Sequence, residues 1–179
     1  MTDEEIEKWC ERFKITNYTI NNGLVDTEEE VMLSFWKIKM PELPIRFGTV
    51  NGDFDCANMG LTTLKGSPHT VSKGFFCHDN KLTSLEHCPV NVGGIFNCAD
   101  NDITNVDYYP ESIGGGTFYI GNNPIAMIFN VVNQDFLHAF NSYKVLKGNE
   151  VNLKRLRYVM NLFDKRVNIS GIKKHYKIV

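Results

Sequence analysis

A long apolar run is missing from this 179-residue sequence. Nothing in it approaches the roughly 18 consecutive apolar residues of a membrane-spanning helix. Also missing is the basic start and apolar stretch of a signal peptide, because the opening Met1-Thr-Asp-Glu-Glu5 is acidic. A chain with neither feature is expected to stay in the cytoplasm and to make no membrane contact. Cysteine is sparse and odd in number: Cys10, Cys56, Cys77, Cys88 and Cys98 are all there is. An odd count without an export signal argues against a disulfide framework. In such a chain the sequons Asn17-Tyr-Thr19 and Asn168-Ile-Ser170 are chance matches. There is no Gly-x-x-x-x-Gly-Lys-Ser/Thr phosphate loop and no His-Glu-x-x-His zinc motif. No catalytic set, metal or cofactor is therefore expected.

What is present is unevenly distributed. The net charge of −2 conceals a dipole: residues 1–125 carry 9 Lys/Arg against 18 Asp/Glu, and residues 126–179 carry 10 against 3. Such a separation either steers a charged partner or marks two solvated faces of opposite sign.

The strongest signal is an internal repeat. Cys56, Cys77 and Cys98 are 21 residues apart, and so are Phe54, Phe75 and Phe96. Four further rows keep the interval: Leu61, Leu82 and Ile103; Leu64, Leu85 and Val106; Pro68, Pro89 and Pro110; Val71, Val92 and Ile113. One inserted residue near Gly114-Gly115-Gly116 brings Phe118, Ile120 and Ile125 into phase. In the other direction Leu33, Phe35, Met40 and Leu43 fall where Phe54, Cys56, Leu61 and Leu64 predict. About five coils are expected between residues 31 and 125.

Each coil can be read physically. Ile95-Phe96-Asn97-Cys98 alternates apolar and polar, as a half-buried strand does. Proline fixes the return path without needing a backbone donor. One coil cannot bury its apolar row, but stacked coils with parallel strands can. The period, and the pattern Phe75-x-Cys77-x-x-Asn80-x-Leu82 repeated from Phe96, match a leucine-rich repeat. Asn80, Asn101 and Asn123 are expected to form an inward ladder serving unpaired backbone groups. Met59 holds that position in the first clear coil, which predicts a looser turn there. Asp79, Asp100 and Asp102 sit at turn positions, where carboxylates accept turn amides or, alternatively, hold a cation. The cysteine row reads as small buried hydrophobes. Its alternative, a zinc site from Cys77, His78, His87 and Cys88, lacks the usual ligand spacing.

The ends differ from the repeat. Ile6, Trp9, Cys10 and Phe13 recur at helical spacing behind a Thr2–Glu5 capping box. Trp9 and Phe13 are expected to cover the first coil. Beyond residue 125, Met127, Ile128 and Val131 suggest one helix, Phe136, Leu137 and Phe140 another, with Gly148 as a helix stop. Leu153, Leu156, Met160 and Phe163 line a further helix, and the tail from Gly171 either adds a strand or packs. The expected fold is thus an α/β solenoid of short leucine-rich-repeat-type coils, period 21, with parallel strands. Residues 1–30 form a capping helix and lead-in, 31–125 the solenoid, and 126–179 a helical C-terminal cap.

The stretches Phe54-Asp-Cys-Ala-Asn58, Leu61-Thr-Thr-Leu-Lys-Gly-Ser-Pro68 and Phe75-Phe-Cys-His-Asp-Asn-Lys-Leu-Thr-Ser-Leu85 resemble the leucine-rich-repeat-like proteins of large tailed bacteriophages. So do the lead-in Ile15–Asp26, the segment Leu43–Gly52, and Lys147-Gly-Asn149. The resemblance covers most of the chain. It implies a solenoid fold and a phage protein acting in the cytoplasm of an infected bacterium, on a host or defence protein. Bacterial effectors with short leucine-rich repeats are more distant relatives. Some carry a ubiquitin-ligase domain with a catalytic cysteine after the repeats, and no cysteine follows Cys98 here.

Two surfaces are candidates for binding. In leucine-rich repeats the residues flanking the buried strand positions face the concave side. That predicts a partner site from Trp36, Asp55, Phe76, His78, Asn97 and Tyr119, in which exposed aromatics are hot-spot residues. The alternative is phosphate binding, hence nucleic acid, through a basic surface of Lys154, Arg155, Arg157, Lys165 and Arg166. The first makes the chain a non-catalytic inhibitor or adaptor of another protein.

Overall fold

The computed structural model describes residues 1–179, the Val131 side chain excepted. The chain runs α1 (Asp3–Arg12), β1 (Tyr18–Asn21), β2 (Leu24–Thr27), β3 (Val31–Met32), β4 (Arg46–Val50), β5 (Phe54–Asp55), β6 (Thr70–Val71), β7 (Phe75–Phe76), β8 (Asn91–Val92), β9 (Phe96–Asn97), β10 (Ser112–Ile113), β11 (Phe118–Tyr119) and β12 (Val131–Val132). It ends in α2 (Gln134–Ser142), β13 (Leu146–Lys147), β14 (Glu150–Val151), α3 (Leu153–Leu162), the single turn α4 (Ile169–Ile172) and β15 (Lys177–Ile178).

The 21-residue period becomes a β-solenoid of about five stacked turns. Every interior turn contributes two short strands, one to each of two sheets. The first sheet has the order β1-β2-β4-β6-β8-β10, and the second β3-β5-β7-β9-β11-β12. From β2 to β10 and from β3 to β11 all pairings are parallel. Within these two sheets only β1 and β12, each at one edge of its sheet, run antiparallel to their neighbours. Leu24–Thr27, in the segment read as lead-in, already pairs in parallel with β4.

The rows read from the sequence are the core. Phe54, Phe75, Phe96 and Phe118 are in register across the second sheet and fully buried. Their ring centroids step by 5.7, 5.2 and 5.1 Å, about the spacing of neighbouring strands. Cys56, Cys77 and Cys98 are buried free thiols in the next row. The inserted residue at Gly114–Gly116 puts Phe118, Ile120 and Ile125 into the rows, as expected. At Gly114 a Cβ would run into the carbonyl of Gly93 in the turn below, so the corner admits no side chain there.

The asparagine ladder is also present. Asn80 Oδ1 accepts from the amides of Met59 (3.0 Å) and Leu61 (2.9 Å), while Asn101 Oδ1 accepts from Leu82 and Asn123 Oδ1 from Ile103. Each Nδ2 donates to carbonyls of its own turn and the turn before. The turn at Met59 is therefore held as its neighbours are: Asn80 of the next turn serves it with two bonds, and the Met59 side chain fills the core. Just before each ladder position Asn58, Asp79, Asp100 and Asn122 adopt φ of 54–56°. Asn and Asp tolerate that left-handed conformation best among non-glycine residues, which explains the residue types at the corner.

The first turn corrects the expected register. Val31, not Leu33, pairs with Phe54, an interval of 23. Leu33 is fully buried in the row of the cysteines, and Phe35, expected inside, is 73% exposed. The two extra residues are absorbed by a 3₁₀ turn, Ser34–Trp36, which closes on Lys37 at φ 51°. Leu43 is buried as expected and Met40 half-buried.

Helix α1 opens on its capping box: Glu5 N donates to Thr2 Oγ1 and Thr2 N to Glu5 Oε2. Ile6, Cys10 and Phe13 join the solenoid core. Trp9 lies 4.2 Å from Phe13 and 6.2 Å from Phe47. At the other end the chain is less helical than expected. The segment at Met127–Val131 is a 3₁₀ turn, Pro124–Met127, followed by β12. Gly148 (φ 58°) stops no helix but makes the tight turn between β13 and β14. The tail supplies β15, parallel to β14, completing a three-stranded sheet. Phe136, Leu137 and Phe140 of α2 and Leu156 and Met160 of α3 are buried, as their spacing predicts.

Gln134, at the start of α2, closes the first sheet. Its Oε1 accepts from Ile113 N (3.3 Å) and its Nε2 donates to the Glu111 carbonyl. One side-chain amide thus pairs with β10 as the next strand would.

Candidate functional site

Strand alternation turns one row of the second sheet outward. Met32, Asp55, Phe76, Asn97 and Tyr119 are direct register neighbours along it. The polar members are committed locally. Asp55 Oδ1 accepts from Ala57 N (2.9 Å) and its Oδ2 from Ser34 Oγ (2.6 Å). Asn97 Oδ1 accepts from Ala99 N (3.1 Å). Both act as turn acceptors two residues ahead of themselves. Apart from half-buried Met32 at one end, the uncommitted surface of the row is aromatic: Tyr119, 38% exposed, and Phe76.

Phe76 is half-buried and not fully outward. Its ring folds back over Gly74, where an added Cβ would meet Cε2 and Cζ at 2.6 Å. It thus gains some packing from its own strand entrance. His78 lies two residues further on, half-buried, with Nδ1 2.7 Å from Asp79 Oδ2. Trp36 does not belong to this group. The corrected register puts it on the 3₁₀ turn, edge-on to Phe13 at 5.9 Å, so it packs against the first helix.

The basic residues do not form one patch. Lys154, Arg155 and Arg157 are exposed on α3, and Arg166 is exposed beyond it. Lys165 is half-buried, with Nζ 5.8 Å from the centroid of Phe136. It lines a separate cleft with Phe163 and Asn133. Lys154 and Arg155 instead share a cleft with Tyr143 and Tyr158, two exposed rings whose centroids are 5.0 Å apart. The Tyr143 hydroxyl pKa is raised, first by its contact with the Tyr158 hydroxyl.

Compared with known proteins, the chain matches no family model, no curated protein and no solved structure. Among the described residues no helix is long and apolar enough to cross a membrane.

A further cleft, of about 750 Å³, lies away from both surfaces that the sequence points to. It runs across successive turns beside the proline row, past Arg46, His69, His87, Cys88, Tyr108 and Tyr109. Burial pushes the Cys88 thiol up to about 12, and Sγ donates to the Tyr108 carbonyl at 3.0 Å, both of which favour the protonated thiol. Cys77 and Cys88 also face different ways, one in the inner row and one at this cleft. Among the described residues no three His, Cys, Asp or Glu side chains converge as metal ligands. Asp79 and Asp100 are occupied at their corners, Asp100 Oδ1 accepting from Asn122 Nδ2 at 2.7 Å.

Proposed function

We propose that this chain is a non-catalytic protein-binding module that presents the outer face of its second sheet to a partner. The observation that carries the reading is the aromatic pair Phe76 and Tyr119 in a row whose intervening polar side chain, Asn97, is already satisfied by the backbone. Such a row offers ring surface on a rigid scaffold and few polar groups that would lose water on binding. Aromatic residues are enriched at interfaces and among the residues that dominate their energies. His78 and Asp55 flank the pair. We read the solenoid as leucine-rich-repeat type, with α1 and the C-terminal region as its caps. The resemblance to phage repeat proteins supports an inhibitor or adaptor acting on a host or defence protein in the bacterial cytoplasm.

The test is a pull-down from bacterial lysate with the wild type, Phe76→Ala, Tyr119→Ala and a Lys154→Glu/Arg155→Glu double variant, read by mass spectrometry. A partner held by the wild type and the double variant but lost by both aromatic variants supports the reading. Hot-spot loss is about 2 kcal/mol or more. A partner that survives both aromatic substitutions overturns it.

A further inference from the structure

Helix α3 carries no acidic residue from Leu153 to Leu162, and its outward side is built from Lys154, Arg155, Arg157 and Tyr158. Lys154 precedes Tyr158 by four residues and Arg155 precedes it by three, spacings that place side chains on one helical face. Across the cleft stands Tyr143, just beyond the last turn of α2. Tyr143 and Tyr158 are 43% and 51% exposed, and their rings meet at a tilt of 56°. Two large aromatic rings in mutual contact still leave about half their surface in water. Neither is needed by the core.

The cations around them are not paired with acids: among the described residues, Lys154, Arg155 and Arg157 take part in no ion pair. Glu150, an acid close in sequence, is held by Lys177 at 2.7 Å. Arg155 Nη1 donates to the Lys144 carbonyl at 3.2 Å, which fixes the guanidinium at the cleft with further N–H groups free to donate. The cleft, about 610 Å³, falls within the size range of small-ligand sites.

We propose that this cleft binds single-stranded nucleic acid, with a base stacked on the Tyr143–Tyr158 pair and flanking phosphates on Lys154 and Arg155. Single-strand sites combine these two elements: aromatic faces that accept any base, and fixed positive charge that follows the backbone. An acidic protein segment would use the cations but gain little from paired ring faces. The site is separate from the second-sheet face, and neither reading depends on the other.

The experiment is fluorescence anisotropy of a labelled oligothymidylate, about 15 nucleotides long, titrated with the full chain over a range of salt concentrations. Binding should weaken with salt, log K falling by about 0.7 per phosphate contact for each unit of log salt. Lys154→Ala/Arg155→Ala should lower that slope. Tyr158→Ala should weaken binding at least about fivefold, the lower bound for loss of one base stack, and leave the slope unchanged. Tyr158→Phe should bind as the wild type does, and circular dichroism should be unaltered in every variant. No binding at the lowest salt overturns the proposal. So does binding that depends on the cations but is indifferent to Tyr158→Ala, and so does equal competition by a poly-glutamate peptide of matched charge.

Discussion

The asparagine ladder makes a graded prediction, because its three members protect different numbers of backbone groups. Replacing Asn101 by alanine removes four hydrogen bonds but isolates only one group, the Leu82 amide. The carbonyls it served keep other donors: Cys77 keeps Asn80 Nδ2, Cys98 keeps Asn123 Nδ2, and Ala99 keeps the Asp79 amide. Asn123→Ala isolates two groups, the Ile103 amide and the Ile120 carbonyl. Asn80→Ala isolates three, the amides of Met59 and Leu61 and the Cys56 carbonyl. A buried group left unpaired costs about 1–3 kcal/mol. The expected losses are therefore about 1–3 kcal/mol for Asn101 and about 3–6 for Asn80, allowing for partial relaxation, with Asn123 between. Urea denaturation reads these directly. With a slope of about 1–3 kcal/mol per molar, typical of small proteins, the Asn80 midpoint should fall by a molar or more. The order Asn80, Asn123, Asn101 is the test, since it depends on the map of bonds and not on any one energy. If Asn101→Ala proved the most damaging, the assignment of shared carbonyls would be wrong.

Other outcomes follow from the same core. Leu82→Ala, at a fully buried position, should cost about 2–5 kcal/mol in the same assay; a loss near zero would mean the rows are misassigned. Cys56, Cys77 and Cys98, all fully buried, should resist a thiol reagent until the chain unfolds, and rapid reaction of the native protein would contradict their inward placement. Burial, and then the charge of Glu7, raise the Cys10 thiol from 9.0 to about 11. The folded chain therefore holds this proton more tightly than the unfolded one. Its contribution is complete below pH 9 and is lost as pH rises towards 11, so Cys10→Ala should flatten the decline in stability across that window.

Most of the solenoid was legible because every turn buries the same positions, so a core row repeats as a sequence interval. Legibility failed where the interval changed silently. Leu33 is apolar and buried under either register, and nothing in Ser34-Phe35-Trp36 announces a 3₁₀ turn that takes up two residues. The same silent shift puts Trp36 on the 3₁₀ turn and outside the outward row. Asp55, Phe76, Asn97 and Tyr119 were found correctly as neighbours, because alternation around a buried phenylalanine leaves them one place to point. Strands of two residues, such as β13 to β15, offer no period to detect. The cleft beside the prolines escaped notice because its lining changes type from turn to turn, His69 and His87 giving way to Tyr108 and Tyr109. Tyr143 and Tyr158 come from separate elements, and only folding brings them together.

The Gln134 amide has a consequence for how such a molecule changes in length. A side chain that imitates a strand needs only a backbone of the right register beside it, and every interior turn offers the same register. Duplication of one 21-residue unit would move the whole terminal assembly outward by one strand spacing, about 4.8 Å, and Gln134 would meet the new last turn as it meets the present one. Reach can therefore evolve in whole steps without redesign of either end. Loss of Gln134, by contrast, would leave the Ile113 amide and the Glu111 carbonyl open at the sheet edge, where another strand could pair.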